Sequence, residues 1–119
     1  MDIKTCCNKY TINYKNKKIE LKIKKVSFFG KGIGLMFRTK NTKNLLFELS
    51  KDTKRAIHSY FVFFDFLAIW LDKNNKVIEY KIIEPFELSI SPKKEFRKLI
   101  EIPINDKNRE IIKFFVDNR

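Results

Sequence analysis

Hydrophobic and polar residues alternate along several short segments of the chain, which is the pattern of a β-strand with one buried face. Residues 10–14 carry apolar or aromatic side chains at every second position, and residues 19–23 repeat the pattern with charged side chains between them. The Lys-Asn-Lys segment at 15–17 predicts a turn, so the two segments are expected to pair. Other apolar segments predict three further strands, at residues 45–49, 77–83 and 96–103.

The Phe-rich segment 57–71 predicts one long buried strand or two short ones, because aromatic residues favour strands and the segment holds few helix formers. The polar residues 51–55 before it predict a loop, and Asp-Lys-Asn-Asn at 72–75 predicts a hairpin turn. Residues 105–116 predict a helix capped by the Asn-Asp pair at its start, with a final strand as the alternative. Many short strands with at most one or two helices predict a mainly β fold, a sandwich or a barrel.

Length and composition agree with a single domain over residues 1–119, of which residues 1–8 are expected to be loosely held. A chain of this size buries roughly two-thirds of its unfolded surface, so it forms a core without metal or disulfide cross-links. One His and the adjacent pair Cys6 and Cys7 are too few for a histidine- or cysteine-rich metal site, and we expect neither a metal nor a cofactor. The first residues lack a signal-peptide stretch, and segment 57–71 is shorter than the ~20 residues of a spanning helix. We therefore expect a cytoplasmic protein with no membrane partner.

The positive charge is concentrated in the first half of the chain. Residues 1–59 hold fifteen Lys or Arg against four Asp or Glu, whereas residues 60–119 hold eleven against ten. A one-sided positive field attracts phosphate-rich partners, so general nucleic-acid binding is one hypothesis. However, 21 of the 26 basic residues are Lys, which equally fits a solubility role or an A/T-biased genome. The lysines that would contact nucleic acid are Lys17, Lys18, Lys22, Lys24 and Lys25.

A series of motifs resembles the family called domain of unknown function 192. The first is Gly-Leu-Met-Phe-Arg at 34–38, and the next is the apolar segment 45–49. Later motifs of the series lie at residues 57–64, 69–72, 77–79, 85–86 and 99–103. They follow the family's order over residues 19–103, whereas residues 104–119 diverge. The resemblance implies a jelly-roll-like β-sandwich and supplies no reaction, because the family's biochemical activity is not established.

One departure from the family pattern affects a candidate for chemistry. The family's Pro-Ile-Asp falls on Asp65, Phe66 and Leu67, so the aspartate position holds Leu67. Asp65 lies two residues earlier and, on a strand, faces the same side as Leu67. We therefore hypothesise that the Asp65 carboxylate takes the place of the family's aspartate, displaced by two residues. Asp65 and His58, the only His of the chain, define a second alternative function, that of an enzyme. A lone His in an apolar segment is, however, more often a core residue.

The only three glycines lie within residues 30–34, where they either direct backbone N–H groups at an anion or form a tight turn. Their spacing matches neither a dinucleotide-binding fingerprint nor a P-loop. Arg38 either clamps a carboxylate or phosphate, or pairs with an internal acid such as Asp72 or Glu48. The residues predicted to bind an anionic ligand are Lys31, Gly32, Gly34, Arg38, His58 and Asp65.

Aromatic residues of the segment 57–71 either stack nucleic-acid bases or fill the core, and those facing outward would form an apolar patch for a partner protein or a dimer. They are Tyr60, Phe61, Phe63, Phe64, Phe66 and Trp70. Taken together, the sequence favours a small soluble binding or accessory domain for an anionic ligand or partner over an enzyme.

Overall fold

The computed structural model describes residues 8–26, 39, 41–57, 59, 62–87 and 89–117. Their strands are β1 (Asn8–Tyr14), β2 (Lys17–Val26), β3 (Leu45–Thr53), β4 (Phe66–Leu71), β5 (Val77–Ile83) and β6 (Phe96–Pro103). A 3₁₀ turn at Asp106–Asn108 leads into one short helix, α1 (Arg109–Asp117). The prediction of a mainly β fold is therefore confirmed.

Turn chemistry fixes the two hairpins. Lys15 and Asn16 both have positive φ, 49° and 65°, which suits the right-handed twist of the β1–β2 hairpin. In the β4–β5 turn, Asp72 Oδ1 accepts hydrogen bonds from the backbone N of Asn74 (2.8 Å) and Lys76 (3.0 Å). Both turns fall where the sequence predicts them.

The strands form one sheet in the order β1-β2-β3-β6-β4-β5. Neighbours are antiparallel except for β2 and β3, which run parallel over three residue pairs. The sheet curls until its outer strands meet, because Asn13 of β1 forms a bridge with Lys76 and donates its backbone N–H to Asn75 O at 2.8 Å. All six described strands belong to this one curled sheet, so a sandwich is not confirmed.

Both faces of the sheet are covered, which explains why every residue of β4 is buried. One face, the loop face, carries Phe66, Ala68 and Trp70 and is covered by apolar residues from the segment 57–64 and by Ile90. The other, the helix face, carries the alternate residues of β4 and is covered by α1 through Phe115. The buried core is thus two layers separated by the sheet.

Two segments differ from the sequence prediction. Residues 51–53, predicted as part of a loop, extend β3, because Thr53 pairs with Phe96 beyond an irregularity that follows Glu48. Among the described residues of the segment 57–71, those of β4 form a strand, and Ile57 makes an isolated bridge to Ile90. The helix predicted near the C-terminal end is confirmed, with the Asn105 side chain accepting from Asn108 N at 3.0 Å.

Candidate functional site

The predicted anion-binding residues are described only in part. Lys31, Gly32, Gly34, Arg38 and His58 lie outside the described residues, so their grouping stays a prediction.

Asp65 is described and lies just before β4. It is exposed, and its backbone O accepts from Ile104 N at 3.1 Å. Among the described residues its carboxylate has no hydrogen bond or ion pair, so nothing there holds it in a catalytic geometry. Glu48, one suggested partner for Arg38, pairs with Lys25 and Lys98, and its pairing with Arg38 stays a prediction.

Four exposed lysines share one face of the first hairpin, which we call the basic face: Lys9, Lys18, Lys22 and Lys24. Even-numbered residues of β2 point to this face, and the register places Lys9 of β1 directly opposite Lys22. Glu20 is the acidic residue between them on β2. The ion pairs found in the described part of the chain include none of the four lysines. Their charge therefore faces solvent.

The other two lysines of the nucleic-acid hypothesis are differently placed. The Lys25 ammonium lies 2.7 Å from Glu48 Oε1. That hydrogen bond lowers the pKa of Glu48 and raises the pKa of Lys25. The Lys17 ammonium lies 5.8 Å from the centroid of the Phe114 ring. Of the five predicted lysines, three share the basic face and these two do not.

A groove of about 450 Å³ borders the basic face. It lies between β2, the residues 41–44 and the start of α1, and Lys22, Lys43 and Lys107 contribute positive charge to it. Asn44 connects the residues 41–44 to β2 by two hydrogen bonds. The Asn44 Nδ2 donates to Lys22 O at 3.0 Å, and the Asn44 O accepts from Lys24 N at 2.8 Å. Glu20 and Glu110 also line the groove, so its three basic side chains are largely offset by two acidic ones.

A buried carboxyl group lies on the loop face, and the sequence prediction missed it. Glu101 of β6 is 7% exposed and lies between Leu45 and Ala68 of the neighbouring strands. Burial raises the pKa of its carboxyl from the ordinary 4.5 to about 8, and no charge or hydrogen bond from the described residues offsets the desolvation. Glu101 is therefore protonated at neutral pH.

A second buried polar group lies on the same face. Trp70 is fully buried, and its indole Nε1 has no acceptor among the described residues. In the sequence, Glu101 lies between Ile100 and Ile102, and alternation of apolar and polar residues alone does not show that it is buried. Buried polar groups normally have partners, and in the described part of the chain Trp70 Nε1 is the buried side-chain atom that lacks one.

A separate polar cluster closes the sheet where β1 meets the β4–β5 turn. Asn75 Oδ1 accepts from Tyr10 Oη at 2.8 Å and from Lys98 Nζ at 2.7 Å, while its Nδ2 donates to Thr11 O at 3.1 Å. Lys98 also donates to Tyr10 Oη at 3.0 Å. Each group is satisfied within the cluster, which indicates a structural role.

The aromatic residues divide between the core and the surface. Phe66 and Trp70 are buried, as core filling predicts, whereas Phe63 is exposed and lies 5.4 Å from Phe86, centroid to centroid. Tyr60 and Phe61 lie outside the described residues. The Phe63–Phe86 pair is the outward-facing patch for which the sequence suggests a partner or a dimer, and that suggestion stays a prediction.

Residues 10–113 match the family model DUF192, described as "Uncharacterized ACR, COG1430". The chain belongs to this family. The motif resemblance is thereby confirmed. A UPF0127 protein of Thermococcus kodakarensis is 33% identical over 73 residues, which are 60% of this chain and 46% of that protein. The match thus spans about half the length of this curated relative.

Two solved structures share the fold of this DUF192 domain. A protein of unknown function from Novosphingobium aromaticivorans has a TM-score of 0.70 at 12% identity, covering 88% of this chain and 78% of the other. A putative transcription regulator from Sinorhizobium meliloti has a TM-score of 0.68 at 10% identity, covering 85% and 81%. At these identities the likeness concerns the fold alone.

The described residues lack two further structural features. They contain no group of three or more His, Cys, Asp or Glu placed to hold a metal ion. None of their helices has the length and apolar character that crossing a membrane requires.

Proposed function

We propose that this DUF192 domain is a non-catalytic binding module for a polyanionic partner, which it contacts through the basic face. The observation that supports this most directly is the placement of Lys9 opposite Lys22, with no acidic partner for either among the described ion pairs. Like charges directly opposite each other on a sheet are destabilising. A bound anion would neutralise this repulsion.

The spacing of the lysines favours a polyanion over a single small anion. Successive residues of a strand rise about 3.3 Å, so Lys22 and Lys24 are separated by about 7 Å and Lys18 lies about 20 Å from Lys24. One phosphate reaches two of these ammonium groups at most, whereas a chain of phosphates follows the whole row. The partner we favour is nucleic acid, bound by its backbone without sequence preference. A neighbour with this fold is named a putative transcription regulator, which agrees with that choice.

Two further predictions from the sequence belong to the same proposal. They are a jelly-roll type of sandwich, which the one curled sheet of the described residues does not confirm, and a location in the cytoplasm. Lys31, Gly32, Gly34 and Arg38, from the segment that follows β2, and His58, from the segment that follows β3, would then extend the anion-binding surface. The enzyme alternative receives no support from Asp65, which is exposed.

The test is a salt titration of labelled 20-nucleotide single strands, and of a duplex of the same length, by fluorescence anisotropy. Each phosphate contact to a single strand contributes about −0.7 to the slope of log affinity against log salt, so four contacts give about −3. The double variant Lys9→Gln/Lys22→Gln should reduce that slope to about −1.5. The matched control is Lys93→Gln/Lys94→Gln, which removes the same charge from exposed residues before β6.

Equal loss of affinity in both double variants would mean that only net charge matters, and the basic face would not be the site. No binding at low salt would overturn the nucleic-acid proposal. If the protein then bound inorganic polyphosphate, the polyanionic partner would be a phosphate polymer other than nucleic acid.

A further inference from the structure

We propose that a groove beside α1 binds one free, medium-chain alkyl carboxylate, with Arg109 and Lys113 holding the carboxylate and the apolar residues of the groove holding the chain. This inference goes beyond the proposed polyanion site and does not depend on it. None of the four lysines of the basic face lines this groove.

The groove has the size and the lining of a small-molecule site. Its volume is about 510 Å³, and it lies between α1, the residues 104–106 that precede the helix, and Asn41. Its apolar part consists of Ile104, Ile112 and Val116. Sites for small molecules are clefts of about 300–1,000 Å³ that combine apolar side chains with a few polar groups.

The helix contributes one side of the groove because its apolar surface is wider than packing on the sheet requires. Phe115 faces the sheet and is fully buried. On one flank of the helix, the ring of Phe114 lies 5.9 Å from that of Tyr14, centroid to centroid. On the other flank, Ile112 and Val116 line the groove. They are four residues apart, so they form one apolar strip along the helix.

Two basic side chains lie beside this strip. Arg109 and Lys113 line the groove, are exposed and are four residues apart, so they are neighbours on the helix surface. The ion pairs of the described residues do not include Lys113, whereas Arg109 Nη2 lies 3.2 Å from Asp106 Oδ1. That pair is weak because its side chains are 73% and 96% exposed, and the guanidinium has further N–H donors for a ligand.

The combination of charge and apolar surface selects an amphiphilic monoanion. Asp106 also lines the groove, so the described lining residues carry a single net positive charge. One carboxylate has two oxygens and can accept from both basic side chains. A polyanion would place further charges against Ile112 and Val116, which is costly without partners. The helix rises about 10 Å from Arg109 to Val116, a length that an extended chain of about eight carbons matches.

The test follows the backbone amide resonances of the ¹⁵N-labelled protein while octanoate is added, below its micelle concentration and at about 150 mM salt, where long-range charge effects are screened. We expect saturable shifts at residues 104–106 and 109–116. Hexanoate should bind about tenfold more weakly, because it has two methylenes fewer and each fully buried methylene contributes about fourfold. Octanol should bind about fivefold more weakly than octanoate, because it lacks the exposed ionic contacts.

The double variant Arg109→Gln/Lys113→Gln removes the ionic contacts at exposed residues. It should weaken octanoate binding about fivefold and leave octanol binding unchanged. The matched control Lys93→Gln/Lys94→Gln removes the same charge from exposed residues before β6 and should change neither. Lys9→Gln/Lys22→Gln should also leave octanoate binding unchanged, so this variant separates the groove from the basic face.

Three results would overturn the proposal. The first is absent or linear shifts with octanoate. The second is equal affinity for hexanoate and octanoate, which would show that the apolar strip does not hold the chain. The third is equal loss of octanoate binding in the Arg109/Lys113 variant and the Lys93/Lys94 control, which would show that only net charge matters.

Discussion

Replacing Glu101 by Gln should make the domain more stable at neutral pH. The Glu101 carboxyl is protonated in the folded protein at pH 7, because burial raises its pKa to about 8. In the unfolded chain the same group is ionised at pH 7, since its pKa returns to the ordinary 4.5. The unfolded state of the wild type is therefore favoured by ionisation, and Gln removes that contribution while keeping the side chain's shape.

The size of the effect follows from the pH interval between the two pKa values. Below pH 4.5 the carboxyl is protonated in both states, so its contribution to stability is fully present there. As pH rises toward 8 the folded state alone retains the proton, and stability falls by about 1.4 kcal/mol per pH unit. The variant should therefore equal the wild type near pH 4, exceed it by about 3 kcal/mol at pH 7, and exceed it by about 5 kcal/mol above pH 8.

The assay is urea unfolding followed by far-UV circular dichroism at several pH values from 4 to 9. The informative quantity is the difference in free energy of unfolding between variant and wild type, because titrations common to both proteins cancel. Glu95→Gln makes the same chemical change at an exposed residue, and its curve should stay parallel to that of the wild type. A constant difference for Glu101→Gln across the whole pH range would refute the reasoning, since it would show that Glu101 ionises equally in both states.

Five further substitutions, at four residues, test other parts of the structure by urea or thermal unfolding. Asn75→Ala should cost about 2–3 kcal/mol, because it removes several part-buried hydrogen bonds from a residue with φ of 66°. Asn75→Gly, which tolerates that backbone, should cost less, and a negligible loss for both would contradict a structural role of the cluster. Asp65→Asn should change stability by less than about 0.5 kcal/mol, as surface substitutions do; a loss of about 2 kcal/mol or more would show an engaged carboxylate. Leu67→Ala should cost about 2–5 kcal/mol, whereas Phe63→Ala on the exposed surface should cost little. Similar losses for the last two would contradict the two-layer core.

The strands with clear ends could be predicted from the sequence alone. Residues 77–83 and 96–103 agree with β5 and β6, because turn residues or prolines mark their limits. The segment 57–71 was predicted less well, because Ile57, Val62 and Phe64 pack on the sheet, and a Phe-rich composition suits a covering segment as well as a strand. Local pattern cannot distinguish a strand from the segment that packs on it.

The missed site has a related physical reason. Glu101 lies between two Ile residues. Alternation alone assigns these Ile residues to the buried face of the strand, and it would therefore leave Glu101 on the face toward solvent. It is buried because β6 lies between β3 and β4, with both of its faces covered. That depends on pairings between residues about 50 positions apart, such as Leu45 with Glu101, which no short window of sequence contains.

The position of β6 in the sheet also has a consequence for how the protein is made. Although β6 is the sixth described strand along the chain, it lies between β3 and β4. A ribosome that has released only residues up to β5 has therefore exposed two separate pieces, β1–β2–β3 and β4–β5, each with an unpaired inner edge. Such edges readily pair with other chains, so the nascent protein passes through a stage prone to aggregation until residues 96–103 emerge. Insertion of this one strand joins the two halves and, in the same event, places Glu101 beside Trp70.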